Sequence, residues 1–176
     1  MKKIILFPTL FILLVGLGFA GPRLQLELGA AMPDFSQDAF CDKPSFKYDL
    51  QFSYPIYKSL DVFVKAGQDF ASIKNSGKLL LVNEISLGLD NSFAITQNDF
   101  FRPSVFAGLG IVCADLHPKS CVVGFVAGAK IYYIRQMTQN LQLNVGAGLS
   151  MLFIENQNPF KTHSPVDLTL GISYCW

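Results

Sequence analysis

Thr162, His163 and Ser164 set two hydroxyls beside an imidazole, the residue types from which a hydrolase builds and activates a nucleophile. A nucleophile and its base must share a face. Adjacent residues of an extended chain point to opposite faces, so His163 and Ser164 diverge. No acidic residue has an evident role in orienting the imidazole. The second histidine, His117, precedes Pro118 in a polar stretch, and an exposed loop histidine is the plainer reading of both. No catalytic residue is assigned on this basis. Metal binding has no better footing, because neither CxxC nor HxxxH spacing occurs, and no cofactor motif is present.

The remaining chemistry lies in charged residues and in four cysteines, and both depend on the elements that carry them. Lys2 and Lys3 precede an apolar run from Ile4 to Val15 that ends in Gly18, Phe19 and Ala20. A charged start, a short apolar middle and small residues at the end describe a secretory signal peptide, with cleavage expected after Ala20. The expected division is residues 1–20 as signal peptide and 21–176 as one domain. Loss of two lysines leaves 12 Lys and Arg against 13 Asp and Glu, a net charge of −1. No basic cluster is present, so nucleic acid is not an expected partner. No later apolar run approaches the roughly 18 residues of a membrane helix.

Period-two alternation runs through the rest of the chain. Leu141, Leu143, Val145, Ala147, Leu149, Met151 and Phe153 oppose Gln142, Asn144, Gly146, Gly148 and Ser150. The last segment sets Val166, Leu168, Leu170, Ile172, Tyr174 and Trp176 against Asp167, Thr169, Gly171, Ser173 and Cys175. Similar segments start near Leu24, Phe46, Leu60, Glu84, Ser104 and Val123, giving eight strands. Their length suits a strand tilted across a bilayer, which needs about 9 to 11 residues, better than a soluble strand of about 5 or 6.

Short links are expected at Pro55 to Ser59 and Arg135 to Gln139. Longer polar ones run from Met32 to Ser45, Gln68 to Lys78, Ala114 to Ser120 and Glu155 to Pro165. Asn91 to Arg102 is long where a short turn is expected. The fold class is therefore all-β: an eight-stranded antiparallel up-and-down transmembrane barrel with four long loops on one side. A soluble barrel of the lipocalin kind would turn its apolar face inward. Here the apolar parity is almost uninterrupted, with Asn83 as the exception, while the other parity is rich in Gly, Ser and charge.

That architecture, with its ending on Leu168, Leu170, Ile172, Tyr174 and Trp176, resembles the small outer-membrane barrels typified by the OmpA transmembrane domain and OmpX. The resemblance implies a bacterial outer-membrane location, outer-membrane lipid as solvent, and recognition of the terminal segment by the barrel-assembly machinery. Members usually end in Phe, and Trp176 keeps the aromatic terminus. Lipid A deacylases share the architecture, but their His and Ser are separated by one residue, unlike His163 and Ser164.

The polar parity gathers Glu27, Asp49, Asp61, Glu84, Asp90 and Asp167 with Lys47, Lys65 and Lys130. Inside a narrow barrel such charges must pair, giving either a salt-bridged plug or a very narrow polar path. Cys113 and Cys121 bracket one outer loop and are expected to form a disulfide. Cys41 and Cys175 belong to opposite ends, so they cannot meet; each stays a thiol unless Cys41 competes for a partner in the neighbouring loop. The expected function is non-enzymatic: a structural, surface-exposed barrel whose loops contact host tissue, complement or other cells. Alternatives are a narrow pore for small solutes or, less favoured, a lipid A-modifying enzyme.

Overall fold

The computed structural model describes residues 21–32, 44–72, 79–114, 121–154, 162–163 and 166–176. The expected signal peptide, His117, Cys41 and most of the four long loops lie outside these residues. Ten strand segments make one antiparallel sheet: β1 (Arg23–Met32), β2 (Ser45–Tyr57), β3 (Leu60–Ser72), β4 (Leu79–Asn91), β5 (Phe93–Ala94), β6 (Asp99–Ala114), β7 (Cys121–Gln136), β8 (Leu141–Ile154), β9 (Thr162–His163) and β10 (Val166–Cys175). Eight are long. β5 pairs only with the start of β6, and β9 adds a two-residue flap, Leu152↔His163 and Phe153↔Thr162, to β8. The last long strand returns to the first, from Arg23↔Cys175 to Met32↔Val166, and closes the barrel.

Residues 55–57, 135–136 and 162–163, expected in links, are strand, and two segments differ further. The stretch from Gln68, expected to be loop, continues β3 to Ser72, paired through Gln68↔Asn83 and Ser72↔Leu79. The link from Asn91 to Arg102, expected to be long, is mostly strand. Asp90↔Ser104 and Phe93↔Phe101 keep one register on either side of a break opposite Pro103. Proline has no N–H for the ladder, which interrupts the pairing without shifting it. The remaining turn is residues 95–98, tied by Ile95 N donating to Asp99 O at 2.8 Å and by Thr96 Oγ1 donating to Asp99 Oδ2 at 2.8 Å. At the other tight turn, Lys58 adopts a φ of 44°, in the left-handed region.

Alternation sorts the side chains as the strand pleat requires. Leu28, Ile85, Leu87, Leu109, Val145 and Leu170 stand on the outside, with Leu87 62% and Leu109 60% exposed. Such a belt far exceeds the apolar patches that soluble monomers expose. Aromatics flank it at both ends. Phe46, Phe70, Phe125 and Phe153 lie toward the long loops, with Phe46 and Phe70 rings 6.5 Å apart and Phe125 and Phe153 6.3 Å apart. Tyr57, Phe93, Phe101, Tyr133, Tyr174 and Trp176 lie toward the short turns. Eight residues separate Phe125 from Tyr133 on β7, about 20 Å along the barrel axis at the usual rise and tilt, close to the ~25 Å apolar band of membrane barrels.

Candidate functional site

The inward parity builds two separate charged layers. In the middle of the barrel Lys130, from β7, crosses the lumen to Glu27 on β1 and lies 3.8 Å from both Asp49 and Asp167. Lys47 bonds Asp167 at 2.8 Å and approaches Asp49 at 3.5 Å. Lys65 bonds Glu84 at 2.8 Å and stands 3.5 Å over the Phe106 ring. Low local dielectric makes each such pair strong once made and costly to leave half made.

Asp61 and Asp90 do not join this cluster, which corrects the reading of one network. They form a second layer nearer the short turns with two arginines, Arg23 and Arg102. Arg23 Nη1 reaches Asp61 and Nη2 reaches Asp90, each at 2.9 Å. Arg102 Nε donates to Ser92 Oγ at 2.7 Å and lies 3.7 Å from Asp90 Oδ1. Both arginines escaped the sequence reading. Arg23 continues the parity of Gln25 and Glu27, and Arg102 continues that of Ser104 and Phe106 across Pro103. Extending each parity to its end is the signal that finds them. Amides complete the lining: Asn144 Nδ2 donates to Ser173 Oγ at 2.5 Å, and Ser173 Oγ donates to Gln25 Oε1 at 3.1 Å.

Large side chains fit this narrow interior because glycines face them. A Cβ on Gly67 would sit 2.1 Å from Asp49 Oδ1, and one on Gly88 would sit 2.2 Å from Phe63 Cζ. Toward the long loops the lining turns apolar, with Ala71, Leu80, Val82, Val112, Val126 and Leu152 in one buried cluster. Between this cap and the lysine layer lies a cavity of ≈ 30 Å³, lined among others by Lys47, Asp49, Glu84, Val82 and Leu152. That is room for about two water molecules.

Cys113 and Cys121 are bonded across the first pair of the β6–β7 ladder, with Cα atoms 4.1 Å apart. Cys175 is a free, half-buried thiol near the arginine layer. Leu168, Leu170, Ile172 and Tyr174 face outward on β10, as does Trp176 after it. Trp176 N donates to Pro22 O at 3.1 Å, and its ring meets Tyr174 edge-on at 5.1 Å. His163 joins β9 by its backbone, and Ser164 lies outside the described residues.

No protein-family model and no curated protein matches the sequence. Solved structures do match the fold. Neisserial surface protein A aligns with 89% of this chain and 99% of its own, at a TM-score of 0.73 and 16% identity. Ail, the attachment invasion locus protein of Yersinia pestis, aligns over 90% and 100% at 0.56 and 11%. The outer membrane protein OprG from Pseudomonas aeruginosa aligns over 89% and 96% at 0.53 and 13%. The chain thus has the fold of small eight-stranded outer-membrane β-barrels.

Proposed function

We propose that this chain is a closed, non-enzymatic barrel of the bacterial outer membrane that holds four outer loops at the cell surface for contact or adhesion. The observation that carries the reading is the combination of a lipid-matched exterior with a filled interior. Two salt-bridged layers and an apolar cap occupy the described lumen. A conducting path would need the ion pairs broken and the cap of Val82, Val126 and Leu152 displaced, so the narrow-pore alternative loses support. An enzyme would need convergent groups at a substrate-sized opening, and among the described residues the cavity beside the lysine layer, ≈ 30 Å³, has room for water alone.

What remains for function is the loops, carried on rigid strands and rich in Pro33, Pro44, Pro118, Pro159 and Pro165. A surface role accords with the neighbours named as a surface protein and an attachment invasion protein. Ail has a structure with the heparin analogue sucrose octasulfate. Here the long links 33–44, 73–78, 115–120, 155–161 and 164–165 carry five Lys against five Asp and Glu, which gives no excess positive charge for a polyanion. In this reading residues 1–20 are removed on export, and the outward residues of β10 with Trp176 present the assembly signal. The test compares cells displaying the barrel with cells displaying a version whose four loops are cut to short hairpins. Adhesion to host-cell surfaces should fall to background in the shortened form. Equal adhesion by both forms, or stepwise ion currents from the refolded protein in planar bilayers, contradicts the proposal.

A further inference from the structure

Among the described residues, the outward face between its two rims is crossed by one hydrogen-bonded polar row. Tyr48 on β2, Gln68 on β3 and Asn83 on β4 are consecutive partners in the sheet register, Tyr48↔Gln68 and Gln68↔Asn83. Tyr48 OH donates to Gln68 Oε1, and Gln68 Nε2 donates to Asn83 Oδ1 at 2.5 Å. Between Ser72 and Asn91 at the two rims, Gln68 and Asn83 are the only amides on the outward face among the described residues. Amides in hydrocarbon are costly unless bonded, and leucine would serve a purely structural role better.

The row satisfies itself only in part. Its bonds run one way, toward Asn83, so no described residue accepts from Asn83 Nδ2. The Tyr48 oxygen at the other end keeps lone pairs to accept with. The complement is therefore a group that both accepts and donates, such as an amide or a hydroxyl. Depth narrows the choice. Tyr48 and Gln68 lie two residues inward of Phe46 and Phe70, about 5 Å below the aromatic belt on the long-loop side. That is the level of the first groups of an acyl chain whose headgroup rests at the belt. Three polar side chains are a small fraction of a stable protein interface, whereas they match the reach of a single acyl chain's polar groups.

We propose that Tyr48, Gln68 and Asn83 form a lipid-facing site that hydrogen-bonds an outer-leaflet glycolipid through an amide- or hydroxyl-bearing acyl chain. The proposal rests on the outer-membrane reading above. Its test uses the mature chain refolded into phospholipid nanodiscs doped with either of two diglucosamine bisphosphate lipids. One is lipid A with amide-linked 3-hydroxyacyl chains; the other is an analogue with ester-linked, unhydroxylated chains. Native mass spectrometry reads the glycolipid retained on dilution. The wild type should retain lipid A roughly three- to eightfold better, the worth of one or two hydrogen bonds in a membrane. A Gln68→Leu, Asn83→Leu double variant, whose leucines suit hydrocarbon, should insert normally and lose the preference. Equal retention of both lipids by the wild type, or an undiminished preference in the variant, overturns the site. A wild-type dimer that the variant abolishes, without any lipid preference, assigns the row to a second copy instead. Failure of the wild type to insert into plain phospholipid is a separate result, and it overturns the membrane reading itself; failure of the variant alone makes the row a structural requirement and overturns the site.

Discussion

Lys130 is 4% exposed and serves Glu27, Asp49 and Asp167, so its ammonium holds three carboxylates from three strands. Replacing it with Met keeps the bulk and strands Glu27, whose ion pair is with Lys130, while Asp49 and Asp167 keep Lys47. Lys130→Met should cost about 3 to 5 kcal/mol, the usual penalty for breaking a buried pair from one side. Removing the opposing charge as well, in Lys130→Met with Glu27→Gln, should recover part of that loss. Urea unfolding in lipid vesicles measures both, and a single variant as stable as wild type contradicts the pairing. At this scale the sequence was readable where parity was unbroken: the carboxylates and lysines all stand inside. It was opaque where partner choice depends on distance across the lumen. No periodicity tells that Asp61 and Asp90 meet arginines instead of lysines, because the partners are set by barrel radius and stagger.

Strands were legible where alternation ran long, as in β8 and β10, and less cleanly in β6 and β7, whose inward parity carries Phe106, Val126 and Tyr132; their ends were not. Gln68 looked like the start of a loop since an amide breaks the apolar parity, yet its backbone pairs with both β2 and β4 and the ladder with β4 runs on to Ser72. Pro103 hid the first residues of β6 for an equally local reason. The β6–β7 hairpin supplies a direct check on register. Its disulfide closes a loop of sequence separation 8, worth about 2 to 3 kcal/mol in the chain-entropy model and less where the closed ladder already restrains the ends. The double variant Cys113→Ser, Cys121→Ser should therefore still insert, with stability lowered by no more than that. Peptide mapping of the unreduced protein should find this pair joined; Cys113 joined to Cys175 instead contradicts the topology. Trp176 tests the end of β10. Trp176→Asp should cost only about 0 to 1 kcal/mol at the interface, so the variant should refold from urea into vesicles yet fail to assemble in cells. Normal assembly in cells argues against a recognition role for the terminal aromatic.

The described barrel is a charged and polar filling, capped by apolar side chains toward the long loops and wrapped in an apolar belt with an aromatic ring at each end. Every functional proposal here depends on that wrapping facing lipid. The chain contains a single tryptophan, Trp176, 58% exposed on the outward face at the short-turn end. Its fluorescence therefore reports one place. In vesicles of phospholipids brominated at defined chain depths, Trp176 should be quenched, most strongly by bromines nearest the headgroup, and protected from aqueous iodide. Emission quenched by iodide and untouched by bromines at any depth would place that face in water and contradict the barrel's orientation toward the membrane.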